Sequence, residues 1–511
     1  MDTEIELKFA VASNDDEEGE PAPVAGLIES LLAPYLQVQG NVQKRLINTY
    51  FDTPEQKLRA YDCGLRVRTR DDYVEQTLKT AGSSIGGLHK RPEFNIQINH
   101  NTPDLDLFPA EAWPEGVNVA ELQAELTPLF TTDFTRTTWR VVLNGSEIEV
   151  VYDIGEVAAQ NSQQAIHEIE MELIDGDMRE LFNLAEQLLD ELPLRLSNDS
   201  KAARGYRLFL GQTPADKPAL GVVDVQPDMD VETAFSQAIQ HGLGFWQYHE
   251  ENYVSQGKIK TLQRVLLGIW LVRHTLWMYR SFIPKKASTE IRKELKWLSS
   301  QFDWLDEALH VKQLTSKKGN YRKRIGEDEK LLAYLEKSFE SQVQENAVIP
   351  LFYSARYNRL ILKLMRWIIE RGWRCYSEIE EQKLAQNIAT VANELNQQSW
   401  IKIQKQMPLK KEFELADYIA SERPISRGLL TGACVGNLYD SELRENFRSP
   451  WLDILQGISD LKTLNLFIYY LENYREDNEA QLRSWGENKI AKLVEIMEQS
   501  RQSALKMSPY W

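Results

Sequence analysis

Cysteine is scarce in this chain of 511 residues: there are three, Cys63, Cys375 and Cys434, scattered and without metal-ligand spacing. That argues against a disulfide framework and suits a reduced, cytoplasmic setting. Long apolar runs are missing as well. The longest, Val265 to Val272, falls far short of the ~20 residues that cross a bilayer. Met1 to Phe9 alternate charge with apolar side chains and lack the apolar centre of a signal peptide. No membrane partner is expected. Positive charge is in short supply, with 59 Lys and Arg against 76 Asp and Glu and a net charge of −17. Nucleic acid is therefore not an expected partner, because its binding rests on a broad basic field. A phosphate-rich substrate would have to be caught by a local cluster of Lys and Arg, or arrive with its metal. Familiar catalytic signatures are absent too: there is no P-loop, no HExxH and no GxSxG. The seven histidines, among them His89, His100 and His167, are not paired at ligand spacing, and packing is the expected role for each.

What is present changes character near residue 211. Before it, strand-length runs alternate with turn signals: Thr3–Phe9, Arg66–Arg70, Glu75–Thr80, Glu93–Asn99, Thr135–Leu143, Glu147–Asp153 and His167–Ile174. Asn144-Gly145 is a strong hairpin signal, and Gly82 to Gly87 reads as a hairpin loop. Helices are expected at Val24–Leu36, Met178–Glu191 and Lys201–Leu210. This mixture predicts an α+β domain over residues 1–210 built on an antiparallel sheet. Residues 211–230, with Pro214, Pro218 and Pro227, read as a linker. Residues 231–506 form an all-α helical-bundle domain, with helices expected at Val231–Gln256, Ile259–Phe282, Ser288–Leu314, Leu351–Arg371, Ser377–Gln397 and Asp453–Asn473.

The strands carry their charge on one face. Glu4, Glu6 and Lys8 oppose Ile5, Leu7 and Phe9. Arg66 and Arg68 oppose Leu65 and Val67; Thr77 and Lys79 share a face, as do Arg91 and Glu93. Glu149 and Asp153 oppose Ile148, Val150 and Tyr152, and Glu168, Glu170 and Glu172 oppose Ile169, Met171 and Leu173. One such strand is an ordinary half-buried strand. Five or six are not, because like charges at ~4 Å cost roughly 4 kcal/mol per pair at an effective dielectric near 20. Interleaved cations reverse that sign. The economical solution is a closed antiparallel β-barrel, charged inside and apolar outside, with flanking helices covering its outer surface. Such a lumen suits phosphate and metal. Glu4 and Glu6, about 6.5–7 Å apart along a strand, can converge on a hard divalent cation, with Glu170 and Glu172 completing the shell. Arg66, Arg68, Arg91 and Arg136 offer planar forks to phosphate oxygens, and Lys8, Lys79 and Lys201 act as point charges.

Glu4-x-Glu6-x-Lys8 resembles the ExExK signature of the CYTH superfamily, whose members fold as a triphosphate tunnel. Further segments match in order: Tyr50-Phe51-Asp52-Thr53, Gly64-Leu65-Arg66-Val67-Arg68, Thr77-Leu78-Lys79, Arg91-Pro92-Glu93, Val151 to Gly155, Glu168 to Glu172, and Ser200-Lys201 with Arg204. The resemblance implies metal ions (Mg²⁺ or Mn²⁺) on Glu4, Glu6, Glu170 and Glu172, with Glu168 and Asp153 close by. It implies triphosphate on Lys8, Arg66, Arg68, Lys79, Arg91, Arg136, Lys201 and Arg204. Glu4, Glu6, Lys8 and Lys201 stand out as the catalytic set. The helical half resembles CHAD, a domain implicated in polyphosphate binding, so longer polyphosphate is a further expected partner there. Arg264-Val265 opens the matching helix, but Leu266 to Leu271 replace the usual spaced arginines. The pairs Lys285-Lys286, Arg292-Lys293, Lys317-Lys318 and the run Arg322 to Arg324 fit a polyphosphate surface or solvated helix ends. The domain order resembles CYTH–CHAD inorganic triphosphatases, which cleave tripolyphosphate to pyrophosphate and phosphate. Other tunnel chemistry (adenylate cyclase, thiamine triphosphatase) and non-catalytic polyphosphate binding are the alternatives.

Overall fold

The computed structural model describes residues 2–12, 22–37, 41–70, 73–212, 220–319, 321–376, 378–474 and 479–511. The acidic run from Asp15 to Glu20 and the prolines Pro214 and Pro218 lie outside them. The chain forms two compact units, Met1–Asp216 with Ile349–Glu370, and Lys217–Val348 with Arg371–Trp511.

The first unit is built on ten antiparallel strands: β1 (Asp2–Val11), β2 (Val42–Asp52), β3 (Gly64–Arg70), β4 (Tyr73–Lys79), β5 (Ser83–Ile85), β6 (Leu88–Ile98), β7 (Thr127–Leu143), β8 (Ser146–Ala159), β9 (Ser162–Asp175) and β10 (Leu194–Leu196). Eight of them close on themselves in the order β1-β9-β8-β7-β2-β3-β4-β6 and back to β1, with β5 pairing β6 and β10 pairing β1. Closure leaves the side chains of alternate residues pointing into a common lumen. Asn144 and Gly145 both have positive φ, as the tight β7–β8 hairpin requires. The Gly82–Gly87 segment is not a loop throughout, since Ser83–Ile85 pairs with Leu88–Lys90. β2 has no counterpart among the strands read from sequence. Its Val-Gln-Lys-Arg-Leu-Ile-Asn run lacks clean alternation, and its register shifts between Tyr50 and Phe51.

Helices α1 (Ala22–Leu32), α2 (Lys57–Ala60), α3 (Val119–Glu125), α4 (Met178–Glu191) and α5 (Lys201–Phe209) accompany the barrel. α4 lays Leu181, Phe182, Leu184, Ala185, Leu188 and Leu189 on the outer face, where Leu7, Phe9, Ile148, Val150, Ile169 and Met171 are also fully buried. Each such side chain stabilises the fold by roughly 1.5–3 kcal/mol. α2 and α3 cover the far side over Leu65, Val67, Leu78 and Phe94. α5 stops one end of the lumen. Tyr206 meets Phe130 edge-on at 5.2 Å, and Phe130 stacks on Tyr50 at 4.6 Å, with Leu46, Phe134, Val157 and Ile166 around them. Gly205 is required there, because a Cβ would lie 2.0 Å from the Phe130 ring.

The helix Ala355–Ile369 also belongs to this unit and packs on α4 and β10. The sequence-based boundaries put it in the helical half; here Asn358 bonds Leu194 and Leu196, and Arg366 bonds Asn183.

The second unit is helical. Val231–Gln256 and Ile259–Met278 form long helices, while the expected Ser288–Leu314 helix breaks into Thr289–Ser300 and Leu305–Thr315. Helices at Glu329–Glu345, Leu415–Val435 and Glu479–Lys506 were not among those expected, and the last helix expected from sequence extends to Ser441–Glu472. Pro424 and Pro450 lie inside two of these, where a proline ordinarily reads as a break. The described end of the 211–230 stretch is not a free linker: Val223 and Val225 are buried, and the Val223 N–H donates to the Ala433 carbonyl at 2.9 Å. The three cysteines are free, with Cys63 and Cys434 buried and Cys375 exposed. Among the described residues no helix is long and apolar enough to cross a membrane.

Candidate functional site

The lumen holds a cavity of about 600 Å³. Its lining includes Glu4, Glu6 and Lys8 from β1, Arg66 and Arg68 from β3, Lys79 from β4, Arg91 and Glu93 from β6, and Arg136 from β7. Glu149 from β8, Glu170 and Glu172 from β9, and Lys201 from the start of α5 complete it. Most of the residues read from sequence as lumen-facing surround one space. Asp153, Glu168 and Arg204 sit behind that surface, nearly or fully buried. Tyr50, His89, Asn95 and Asn48 were not anticipated as site residues. The first three line the cavity, and Asn48 accepts a hydrogen bond from Arg68 Nε at 2.8 Å. Glu93 and Glu149 were placed on charged faces without a role.

The charges fall into three groups. The first is fully matched. Lys8 Nζ lies 2.6 Å from Glu168 and 3.3 Å from Glu170; Lys201 Nζ lies 2.7 Å from Asp153 and 2.9 Å from Glu170, and also pairs with Glu168. Arg136 binds Asp153 through two hydrogen bonds of 2.8 and 2.7 Å and Glu170 at 2.7 Å, and Arg204 pairs with Glu168. Against the cost of burial, Lys201, Lys8 and Arg204 hold Glu168 down to about 2, and Lys201, Lys8 and Arg136 hold Glu170 well below the usual carboxylate range. Oxygens of Asp153, Glu168 and Glu170 lie within 4.8 Å of one another, close enough to share an ion among the described residues. Four side-chain cations already satisfy them.

The second group is a row of carboxylates. Glu6 stands opposite Glu172 across β1 and β9, and Glu172 opposite Glu149 across β9 and β8. Directly facing like charges are destabilising in a sheet. Burial, then the charges of Glu4, Glu149 and Glu93, pushes Glu172 up to about 7. Burial, reinforced by Glu6 and Glu93 and opposed by Lys79 at 2.5 Å, pushes Glu4 up to about 7. Glu6 is also raised, by burial and by Glu170. Burial and like charge thus favour the protonated form of these three acids.

The third group is cationic. Arg68 has no carboxylate within ion-pair distance among the described residues, and Arg66 has one, Glu93, at 3.4 Å. Burial, with Arg66 and Arg136 nearby, lowers the Arg68 guanidinium to about 9. Lys79 and Arg66 hold Glu93 near 2 against its burial. Arg91 stands at the rim on Asp62 at 2.8 Å. His89 is neutral in the lumen, lowered to about 4 by burial and by Lys8, whereas His167 hydrogen-bonds Tyr152 at 2.7 Å.

In the second unit the basic pairs named from sequence make dispersed local contacts, such as Lys286 with Glu378 at 3.2 Å and Arg324 with Glu327. The concentration of charge lies elsewhere. Lys402 Nζ sits 3.6 Å from the Trp277 ring centre, and the Arg280 and Arg427 guanidinium carbons lie at 4.4 and 5.4 Å. Burial and these neighbours lower Lys402, and burial with Arg423 and Arg273 lowers Arg427.

Residues 2–206 match the CYTH domain and residues 237–424 the CHAD domain. A stretch of 211 residues is 37% identical to the inorganic triphosphatase of Haemophilus influenzae, covering 40% of this chain and 54% of that protein, so the chain spans about half the length of this curated relative. Among solved structures it is similar to the CHAD domain from the plant Ricinus communis, at 15% identity and a TM-score of 0.45 over 58% of this chain and 99% of that one. It is also similar to a putative adenylyl cyclase from Hippeastrum described as having a dominant triphosphatase activity, at 21% identity and a TM-score of 0.31 over 41% of this chain and 97% of that one.

Proposed function

We propose that this chain, a CYTH domain joined to a CHAD domain, hydrolyses inorganic tripolyphosphate to pyrophosphate and phosphate inside its barrel. The observation that carries this reading is the placement, around one cavity of about 600 Å³, of a row of carboxylates with raised proton affinity and of under-matched arginines. A pure anion binder has no use for the carboxylates, which weaken anion binding unless a cation covers them. A pure cation binder has no use for Arg66 and Arg68.

Glu4, Glu6 and Glu172 fit Mg²⁺ or Mn²⁺, since their mutual repulsion and burial are relieved by a hard cation taking oxygen ligands. Asp153 and Glu168 fit less well, because their oxygens already face Lys8, Lys201, Arg136 and Arg204. We assign those two to positioning cations and leave Glu170 between the two groups. When bound, the metal would neutralise phosphoryl oxygens and acidify a coordinated water.

The protein's own contribution is placement. Arg66, Arg68, Arg91 and Arg136 present planar forks to phosphate oxygens, and Lys8, Lys79 and Lys201 add point charges along the anion. The ion pairs behind Lys8, Lys201 and Arg136 fix those cations before substrate enters, so little reorganisation is left for the transition state. Overall, one P–O–P bridge breaks, water supplies the oxygen of the new phosphate, and the bridging oxygen leaves with pyrophosphate. In the helical unit, we assign polyphosphate contact to the cations around Trp277 rather than to the dispersed basic pairs.

The test is phosphate release from tripolyphosphate with Mg²⁺, with Mn²⁺ and with chelator, alongside ATP, thiamine triphosphate and long-chain polyphosphate. Metal-dependent release from tripolyphosphate is expected. Cyclic AMP with pyrophosphate from ATP, or binding with no release from any substrate, would overturn the assignment.

A further inference from the structure

We propose that Asn358 is a positioning residue of the barrel site, so that a helix lying within the stretch that matches CHAD is a working part of the CYTH unit. The proposal rests on the hydrolase reading above. It begins with β10, a three-residue strand buried along its whole length. One edge of β10 pairs with β1, from Phe9 opposite Leu196 to Val11 opposite Leu194. The other edge leaves the Leu196 N–H and the Leu194 carbonyl facing away from the sheet, inside the protein, where each needs a partner.

Asn358 satisfies both. Its Oδ1 accepts from Leu196 N at 2.9 Å, and its Nδ2 donates to Leu194 O at 2.7 Å. One side-chain amide thus does what a neighbouring strand would do. Nδ2 also lies 2.8 Å from Phe352 O and 2.9 Å from Ser354 O, which fixes the amide to the start of its own helix. Asn358 is fully buried.

What β10 holds is the site. The Ser197 N–H donates to Lys8 O at 3.0 Å, directly after β10. Ser200 then caps α5 through the Ala203 N–H at 3.1 Å. The next residue, Lys201, reaches back to Asp153, Glu168 and Glu170. A shift of β10 therefore moves Lys8 and Lys201 together, at the centre of the matched charge cluster. The matched CYTH segment ends at residue 206, and this support comes from about 150 residues further along the chain.

The experiment uses the full chain with tripolyphosphate and Mg²⁺, measuring KM and kcat separately. Asn358→Ala is expected to raise KM about ten-fold, equivalent to about 1.4 kcal/mol of substrate binding. A merely structural role would lower the amount of active protein and leave KM unchanged. Asn358→Asp should behave like Ala at pH 8. At lower pH a protonated Asp regains a donor for Leu194 O while accepting from Leu196 N, so the ratio of variant to wild-type KM should fall. Arg359→Ala, which removes the ion pair of the same helix with Asp190, should leave KM within two-fold of wild type. If the Ala variant does not fold, the pH trend of the Asp variant decides alone. A KM for Asn358→Ala within two-fold of wild type, or a flat ratio for the Asp variant, overturns the proposal. Wild type that releases no phosphate overturns the hydrolase reading instead.

Discussion

Two sets of glutamates lie on the inner side of the barrel, one lining the cavity and one partly behind it, and their environments differ in sign. Glu168 is surrounded by Lys8, Lys201 and Arg204 and is held near 2; Glu172, four residues along β9, faces Glu6 and Glu149 and is pushed up to about 7. The first set is finished as folded. The second is only partly matched, by Lys79 on Glu4 and Arg140 on Glu149, and burial still favours its protonated form at Glu4, Glu6 and Glu172. On the function proposed above, the carboxylates left for a cation are those the fold matches least, not those most buried.

Exchanging charge for amide in each set breaks the comparison most directly. Glu6→Gln should reduce metal-dependent phosphate release on the order of 10²–10³-fold, the range for losing one pre-organised electrostatic group, while leaving metal-free stability equal or higher. Retention of wild-type rate would remove Glu6 from the metal site. Glu168→Gln should do the opposite to stability. It leaves Lys8, Lys201 and Arg204 short of a buried partner, and breaking a buried pair costs about 3–5 kcal/mol, visible in urea unfolding. An unfolding midpoint equal to that of Glu6→Gln would mean that the two sets do not differ.

Arg68 sharpens the cationic side. Its guanidinium lacks a carboxylate partner among the described residues and is held at about 9, so Arg68→Met should weaken tripolyphosphate binding about ten-fold with no loss of melting temperature. Loss of stability with binding intact would contradict this. The smallest effect is the pH dependence of stability without metal. Glu4 and Glu172, at about 7 in the fold against an ordinary 4.5, contribute stability that is complete below about 4.5 and lost as pH rises through about 7. Glu168 and Glu93, held near 2, contribute above about 4.5 and lose it as pH falls toward 2. The melting temperature in chelator should therefore sag by a few degrees between pH 5 and 8, and Mg²⁺ should remove the sag. A flat profile in chelator that Mg²⁺ does not change would count against the carboxylate row.

The barrel was legible because alternation is strict where charge and grease share a strand, as in Glu4 to Phe9 and Glu168 to Leu173. Which acids would be matched was not, because that depends on register: Lys8 meets Glu170 and Glu6 meets Glu172 only once β1 and β9 are paired. β2 escaped notice because Lys44, Arg45, Leu46 and Ile47 give no period of two, and with it went Asn48 and its bond to Arg68. In the helical half, Pro424 concealed one helix and Pro450 the first turns of another. The Trp277 cluster joins residues more than a hundred positions apart, which no local window brings together.

The packing of Tyr206, Phe130 and Tyr50 across the α5 end has a consequence for traffic. A tube corked at its base is a cul-de-sac. On the function proposed above, a rod-shaped anion would enter tip first, and the piece cut from it would back out by the same mouth before another end could dock.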